Sequence, residues 1–140
     1  AIRTEAVGMG ASAIAALPKV RAALLQRQRD FLTEQGLVAD GRDMGSVVFP
    51  QAACKIFLTA SAQIRAERRA KQIGIACEGV AFERILSDIM ARDEADRRRS
   101  VAPLQQLPDA HLLDTSHRTI DEAVRQVLDW YREDCAVLCK

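Results

Sequence analysis

Three groups of residues in this chain combine types and spacing suited to chemistry. The first is Asp40-Gly41-Arg42-Asp43-Met44-Gly45, which follows the short apolar run Leu37-Val38-Ala39. That run reads as a buried strand, and ligands of open α/β sheets bind just past the carboxyl ends of strands. Two glycines let the backbone turn tightly. A guanidinium forks onto a phosphate, and a neighbouring carboxylate accepts from an exocyclic amine. The alternative is a structural turn holding a local Arg–Asp pair. The second group is Arg92, Asp93, Asp96 and Arg99. Arg92, Asp96 and Arg99 recur at helical spacing and share one face, while Asp93 continues the apolar stripe of Phe82, Ile85 and Ile89. A stripe that turns acidic places a polar site at the edge of a core. The alternative is an exposed ladder of ion pairs, which contributes little. The third group, Arg65, Arg68 and Arg69, precedes a break from Gly74 to Gly79. A basic helix beside a hinge is suited to close over phosphates. The alternative is a solvated charged face.

Other reactive residues carry less. His111 and His117 flank a short strand near Asp114, Thr115 and Ser116. A Ser/His/Asp triad needs its nucleophile held against the base, and no G-x-S-x-G elbow occurs. Cys54, Cys77, Cys135 and Cys139 form no C-x-x-C pair, so free thiols in a reducing compartment are expected. Cys135-x3-Cys139 fits zinc spacing poorly, and no metal site is predicted.

The elements that position these groups follow from hydrophobic periodicity. Helices are expected over Glu5 to Leu17 and from Pro18 to a stop at Gly36. The second of these carries Val20, Leu24, Leu25, Phe31 and Leu32 inward and Lys19, Arg21, Arg27 and Arg29 outward. Lys55-Ile56-Phe57-Leu58 reads as a strand, and Ser61 caps the basic helix. A long helix runs from Val80 to about Arg99, then Leu112-Leu113 forms a third short strand. Thr119-Ile120-Asp121-Glu122 matches a capping box and opens a helix in which Ile120, Val124, Val127, Leu128 and Tyr131 repeat. Short apolar strands alternating with longer helices predict an α/β fold with a parallel sheet.

Composition narrows the partners. The 140 residues suit one domain. Lys and Arg total 20 against 19 Asp and Glu, a net charge of +1, so no basic field for nucleic acid exists. Aromatic residues are 4%, too few for base-stacking platforms. The longest run without a charge, Ala6 to Pro18, is about 13 residues, short of the ~20 a membrane helix needs. The start Ala1-Ile2-Arg3-Thr4-Glu5 has no signal-peptide pattern and no initiator Met, so removal of an upstream segment is expected.

Taken together, the residues resemble bacterial cytidylate kinase, a nucleoside monophosphate kinase. The matching stretches are Ile2-Arg3-Thr4-Glu5-Ala6-Val7, Pro18-Lys19-Val20-Arg21, and Gly36 through Pro50 with its D-G-R-D-M-G-S-V-V-F-P run. They continue through Lys55-Ile56-Phe57-Leu58, Arg92-Asp93-x-x-Asp96-x-x-Arg99, Ala102-Pro103-Leu104 and Asp109-Ala110-x-x-Leu113-Asp114-Thr115-Ser116. Order and spacing match over nearly the whole chain.

The resemblance implies a P-loop kinase-like three-layer α/β/α fold with parallel strands. It implies transfer of the ATP γ-phosphoryl group to CMP or dCMP, with Mg²⁺ bridging phosphates, in pyrimidine nucleotide metabolism. By resemblance Asp43 accepts from the cytosine amine, and Arg21 and Ser12 contact the base. Arg42 and Arg99 hold the monophosphate, and Arg92 with Asp96 orients the sugar. Arg42, Arg92 and Arg99 act at the reaction centre, and Arg68 and Arg69 belong to a lid within residues 61–99. A cytoplasmic monomer that binds neither nucleic acid nor membrane is implied. Ser46 stands where Thr is usual, Gln51 where an acid is usual, and Ala95 where Arg is common. No G-x-x-x-x-G-K-[ST] occurs. Residues 1–140 are therefore expected to be the C-terminal part of one kinase domain, its first strand and P-loop absent and its activity alone doubtful. Two other readings stay open: a non-catalytic nucleotide-binding module, and a nucleic-acid-binding helix using Arg97 to Arg99.

Overall fold

The computed structural model describes residues 5–15, 17–98 and 103–138. The chain divides into two compact units, one holding the first two helices and the turn that follows them, the other holding the sheet and the remaining helices.

In the first unit, α1 (Glu5–Ala15) and α2 (Pro18–Arg29) are consecutive helices. Pro18 opens α2, where its missing N–H costs nothing. The helix ends at Arg29 rather than at Gly36. Beyond it Thr33 and Gly36 form a bridge, with Gly36 N donating to Thr33 O at 3.0 Å and Gly36 at φ 93°. This local turn, which only glycine enters freely, takes over the backbone hydrogen bonding. Phe31 and Leu32 therefore lie past the helix and exposed, not on an inward face. Leu37–Ala39 forms no strand, and Val38 is fully exposed. It pairs with no described strand, and an apolar run without a ladder partner has no reason to extend. Residues Met44–Val48 then form a π-helical turn, and Val48 is buried.

The second unit is α/β. Strands β1 (Ile56–Thr59) and β2 (His111–Asp114) pair in parallel, Ile56 opposite His111 through Thr59 opposite Asp114. Parallel neighbours need a long crossover, which α3 (Ala62–Ile73) and α4 (Val80–Arg97) supply. Ser61 caps α3, accepting from Ile64 N at 3.2 Å, and Gly74 stops it at φ 76°. Ala66 and Ala70 of α3 pack on Phe82 and Ile85 of α4, bordered by Ile75, Leu86 and Ile89. Two small residues on one helix let the larger side chains of the other fill the space between them. Leu113 is the sheet's fully buried side chain, whereas Leu58 and Leu112 stay exposed.

Helix α5 (Ile120–Leu138) begins with a complete capping box. Thr119 N donates to Glu122 Oε2 at 2.8 Å, and Glu122 N donates to Thr119 Oγ1 at 3.3 Å. Of the predicted apolar repeat, Ile120, Val124, Leu128 and Tyr131 remain exposed. Among the described residues no helix is long and apolar enough to cross a membrane.

The cap predicts two outcomes. Thr119→Ala should lower unfolding stability by about 1 kcal/mol in denaturant titrations. The Thr119 backbone N–H, and then its hydroxyl, hold the Glu122 carboxyl below its usual 4.5. A carboxyl lowered in the folded state stabilises fully above its unfolded titration and loses that contribution as pH falls through the folded value. Wild type should therefore weaken as pH drops below about 4.5, and Glu122→Gln should lose that part of the acid dependence.

Candidate functional site

The D-G-R-D turn is built by hydrogen bonds from its own backbone and from α2. The carbonyl of Asp43 accepts from Val47 N at 2.9 Å and from Val48 N at 3.2 Å, and Met44 O accepts from Phe49 N at 2.7 Å. The two i→i+5 bonds, Val48 N to Asp43 O and Phe49 N to Met44 O, are the π-helical geometry that is frequent at functional sites. Two arginines of α2 secure it. Arg29 Nε donates to Val48 O at 3.0 Å and Nη2 to Val47 O at 3.1 Å, satisfying carbonyls at the turn's end. Arg21 Nη2 forms an ion pair with Asp43 Oδ2, while Nη1 donates to Ala15 O at 3.3 Å. The paired side chains are only 20% and 16% exposed, so water screens the attraction weakly. The outward assignment of Arg21 is thus corrected, whereas Arg29 lies exposed as expected and still reaches the turn: long arginines extend to groups that periodicity alone does not see. Arg42 is exposed in the turn beside Asp43. Ser12 falls within α1, but its side chain lies outside the described residues.

In the second unit the acidic stripe of α4 separates into two roles. Asp93 receives a two-pronged contact from Arg65, Nη1 to Oδ1 at 2.9 Å and Nη2 to Oδ2 at 2.5 Å. Arg65 Nε also donates to Ala60 O at 3.0 Å, so this guanidinium ties the end of β1 to α4. Asp96, the penultimate residue of α4, is 1% exposed. A carboxylate is almost never so buried unless it is paired. Arg92 lies exposed on the same helix, and Arg99 lies outside the described residues.

The basic helix is likewise divided. Arg68 Nη1 donates to Thr115 Oγ1 at 3.2 Å and Nη2 to Thr115 O at 2.6 Å, while Arg69 Nη1 donates to Gln72 Oε1 at 3.0 Å. Thr115 itself closes the sheet end, its Oγ1 donating to Thr59 O at 3.1 Å. Next to it Ser116 N donates to Asp114 Oδ1 at 2.8 Å, and Ser116 Oγ accepts from Ser61 N at 2.9 Å. The Ser116 contacts hold the Asp114 carboxyl below its usual value. His111 opens β2 and His117 follows its far end, so the two stand at opposite ends of the strand. Sequence reasoning missed Arg29, for which no pattern signal exists, and Thr115 as an anchor for Arg68, which the D-T-S stretch after a strand marks.

The sequence-family model of cytidylate kinase matches residues 1–133. A cytidylate kinase of Neisseria meningitidis serogroup C is 82% identical over 132 residues, covering 94% of this chain and 61% of the relative. Those of Chromobacterium violaceum and Ralstonia pickettii are 61% and 58% identical, with 60% and 58% of their lengths covered. The chain belongs to the cytidylate kinase family. It spans about three-fifths of the length of these curated relatives.

The Arg65–Asp93 contact yields a measurable coupling. Side chains 35% and 23% exposed, in two-pronged geometry, should couple by about 1 kcal/mol in a double-mutant cycle of Arg65→Ala and Asp93→Ala. Unfolding titrations of the four proteins measure it.

Proposed function

We propose that the full-length protein carrying this chain phosphorylates CMP and dCMP with ATP. The observation that carries the reading is the Arg21–Asp43 pair at the D-G-R-D-M-G turn, in a chain of the cytidylate kinase family. A carboxylate held by a guanidinium stays an acceptor, which suits the N4 amine of cytosine. Uracil presents a carbonyl at that position, and a carboxylate facing it gains no hydrogen bond and meets repulsion. The same guanidinium has further N–H donors for the base acceptors, and Ser12 adds a hydroxyl. The monophosphate goes to Arg42 and Arg99, and the sugar to Arg92 and Asp96. Arg42, Arg92 and Arg99 work on the reacting phosphates by neutralising charge and holding the acceptor in line, since phosphoryl transfer needs positioning and electrostatics more than covalent help.

Residues 61–99 act as the lid, with Arg68 and Arg69 facing the ATP phosphates when it closes. Arg68 then exchanges its Thr115 contacts for phosphate oxygens. The partners are small molecules, with no nucleic acid or membrane, and the enzyme works as a cytoplasmic monomer. Mg²⁺ enters with ATP, as part of that substrate. The 140 residues contain no glycine-rich Lys-Ser/Thr loop to cradle those phosphates. Transfer by these residues alone is not expected.

A coupled assay of the full-length protein tests the reading. CMP and dCMP should be turned over in preference to purine monophosphates. Asp43→Ala should raise the CMP concentration needed for half-maximal rate by about 10–100-fold, the worth of a charged hydrogen bond. Asp43→Asn, whose amide also donates, should narrow the gap between CMP and UMP. Equal rates with all monophosphates would refute the assignment.

A further inference from the structure

A second cluster of reactive side chains lies at the other end of the parallel strands. Thr115 and Arg68 meet where β1 and β2 finish. Where they start, Cys54, His111 and Asp134 bring a thiol, an imidazole and a carboxylate within 4.8 Å of one another. The three come from separate parts of the chain. Cys54 lies two residues before β1, His111 is the first residue of β2, and Asp134 is on α5. The ladder bond from His111 N to Lys55 O, at 2.9 Å, fixes the first two relative to each other. Trp130, one turn before Asp134 on α5, stacks on the His111 ring at 4.6 Å with the planes 8° apart, which fixes the imidazole's orientation. His111 Nε2 then stands 3.1 Å from Asp134 Oδ2 and 3.2 Å from Oδ1.

From this geometry we propose that Cys54, His111 and Asp134 form a binding site for a zinc-like divalent cation. Sulfur, nitrogen and oxygen donors together are the borderline set that zinc and cobalt accept and that magnesium and calcium do not favour. Ligand atoms about a tetrahedral zinc are about 3.5 Å apart, given metal–ligand bonds of about 2.0–2.3 Å. The His–Asp spacing already meets this, and the thiol needs only a small approach. All three side chains are half-buried, so a cation has a route in from solvent. Without a cation, burial, the Asp134 hydrogen bond and charge, and Cys135 push the Cys54 thiol up to about 11. Binding forms a metal–sulfur bond and releases the thiol proton to solvent. The fourth position goes to water. The site would clip the starts of both strands to α5, on a different end of the sheet from Arg68 and Thr115, and it does not depend on the proposed kinase activity.

The test uses the full-length protein, reduced and stripped with chelator, without nucleotide. Titration with Co²⁺ should give a near-ultraviolet sulfur-to-cobalt charge-transfer band and the visible bands of a tetrahedral ion. Zn²⁺ should displace the Co²⁺ stoichiometrically, and millimolar Mg²⁺ should not. Cys54→Ser should abolish the charge-transfer band, and His111→Gln or Asp134→Asn should weaken Co²⁺ binding at least about tenfold. Cys77→Ser, which alters an exposed thiol outside the cluster, should leave the titration unchanged. At about 100 times its dissociation constant, Zn²⁺ should raise the melting temperature of wild type by roughly 5 °C and that of Cys54→Ser by much less. Circular dichroism confirms that each variant is folded before titration. Absence of the charge-transfer band in folded wild type overturns the proposal, as does its survival in folded Cys54→Ser.

Discussion

The parallel register of β1 on β2 is the constraint on which the second unit depends. Setting Ile56 opposite His111 aligns Thr59 with Asp114, and Thr115 N then reaches Thr59 O at 2.9 Å. Everything at that end follows: the Thr115 hydroxyl bonds the same carbonyl, Arg68 bonds Thr115, and Ser116 receives the N–H of the α3 cap residue. A slip of one residue would turn Leu113, 1% exposed, toward the face on which Leu112 is open to solvent. The burial of one leucine thus holds the register, and the register positions polar groups at both strand ends. The same alignment places Cys54 and His111 side by side at the start.

Arginine does different work in different places along this chain, although the residue type is the same. Arg29 satisfies two carbonyls, Arg65 bridges a carbonyl and a carboxylate, and Arg21 joins a helix terminus to Asp43. Each replaces packing that small or absent side chains leave out. In the first unit Val48 is the described hydrophobic residue that is fully buried, so polar ties carry much of the order there. Such ties suit a substrate site better than they suit a core. A guanidinium that holds Asp43 keeps further N–H donors for a ligand, whereas an aliphatic neighbour offers no polar contact.

What was legible in the sequence was local. Ser61, Gly74 and the Thr119–Glu122 box mark helix ends through hydrogen bonds that span three or four residues, and the structure has them where the pattern predicts. The stripe of Phe82, Ile85 and Ile89 faces Ala66 and Ala70, because 3.6-residue periodicity and burial agree. Leu37–Ala39 shows the limit. Its apolar residues satisfy the pattern of a strand, but a strand exists only through a neighbour, and the neighbour is not a property of the run itself. The end of α2 fails for a related reason: Phe31 and Leu32 continue the helical spacing, yet the Thr33–Gly36 turn competes for the same backbone and wins.

The candidate site divides along the same line. Arg42, Asp43, Arg92 and Asp96 are visible because they sit in short motifs, and motif spacing is preserved in a turn or a helix. Their partners are not visible: Arg21 is 22 residues from Asp43, Arg65 is 28 from Asp93, and Arg68 is 47 from Thr115. The thiol–imidazole–carboxylate cluster is the extreme case. Metal-site spacing rules compare ligands a few residues apart, and here the ligands come from before one strand, from another strand and from the last helix. The Cys135-x3-Cys139 pair, which such a rule inspects, includes a residue outside the described ones, whereas the convergent ligands lie across the pairing of β1 and β2. Long-range strand register, the property least readable from a sequence, is therefore what assembles both ends of this sheet into chemically competent groups.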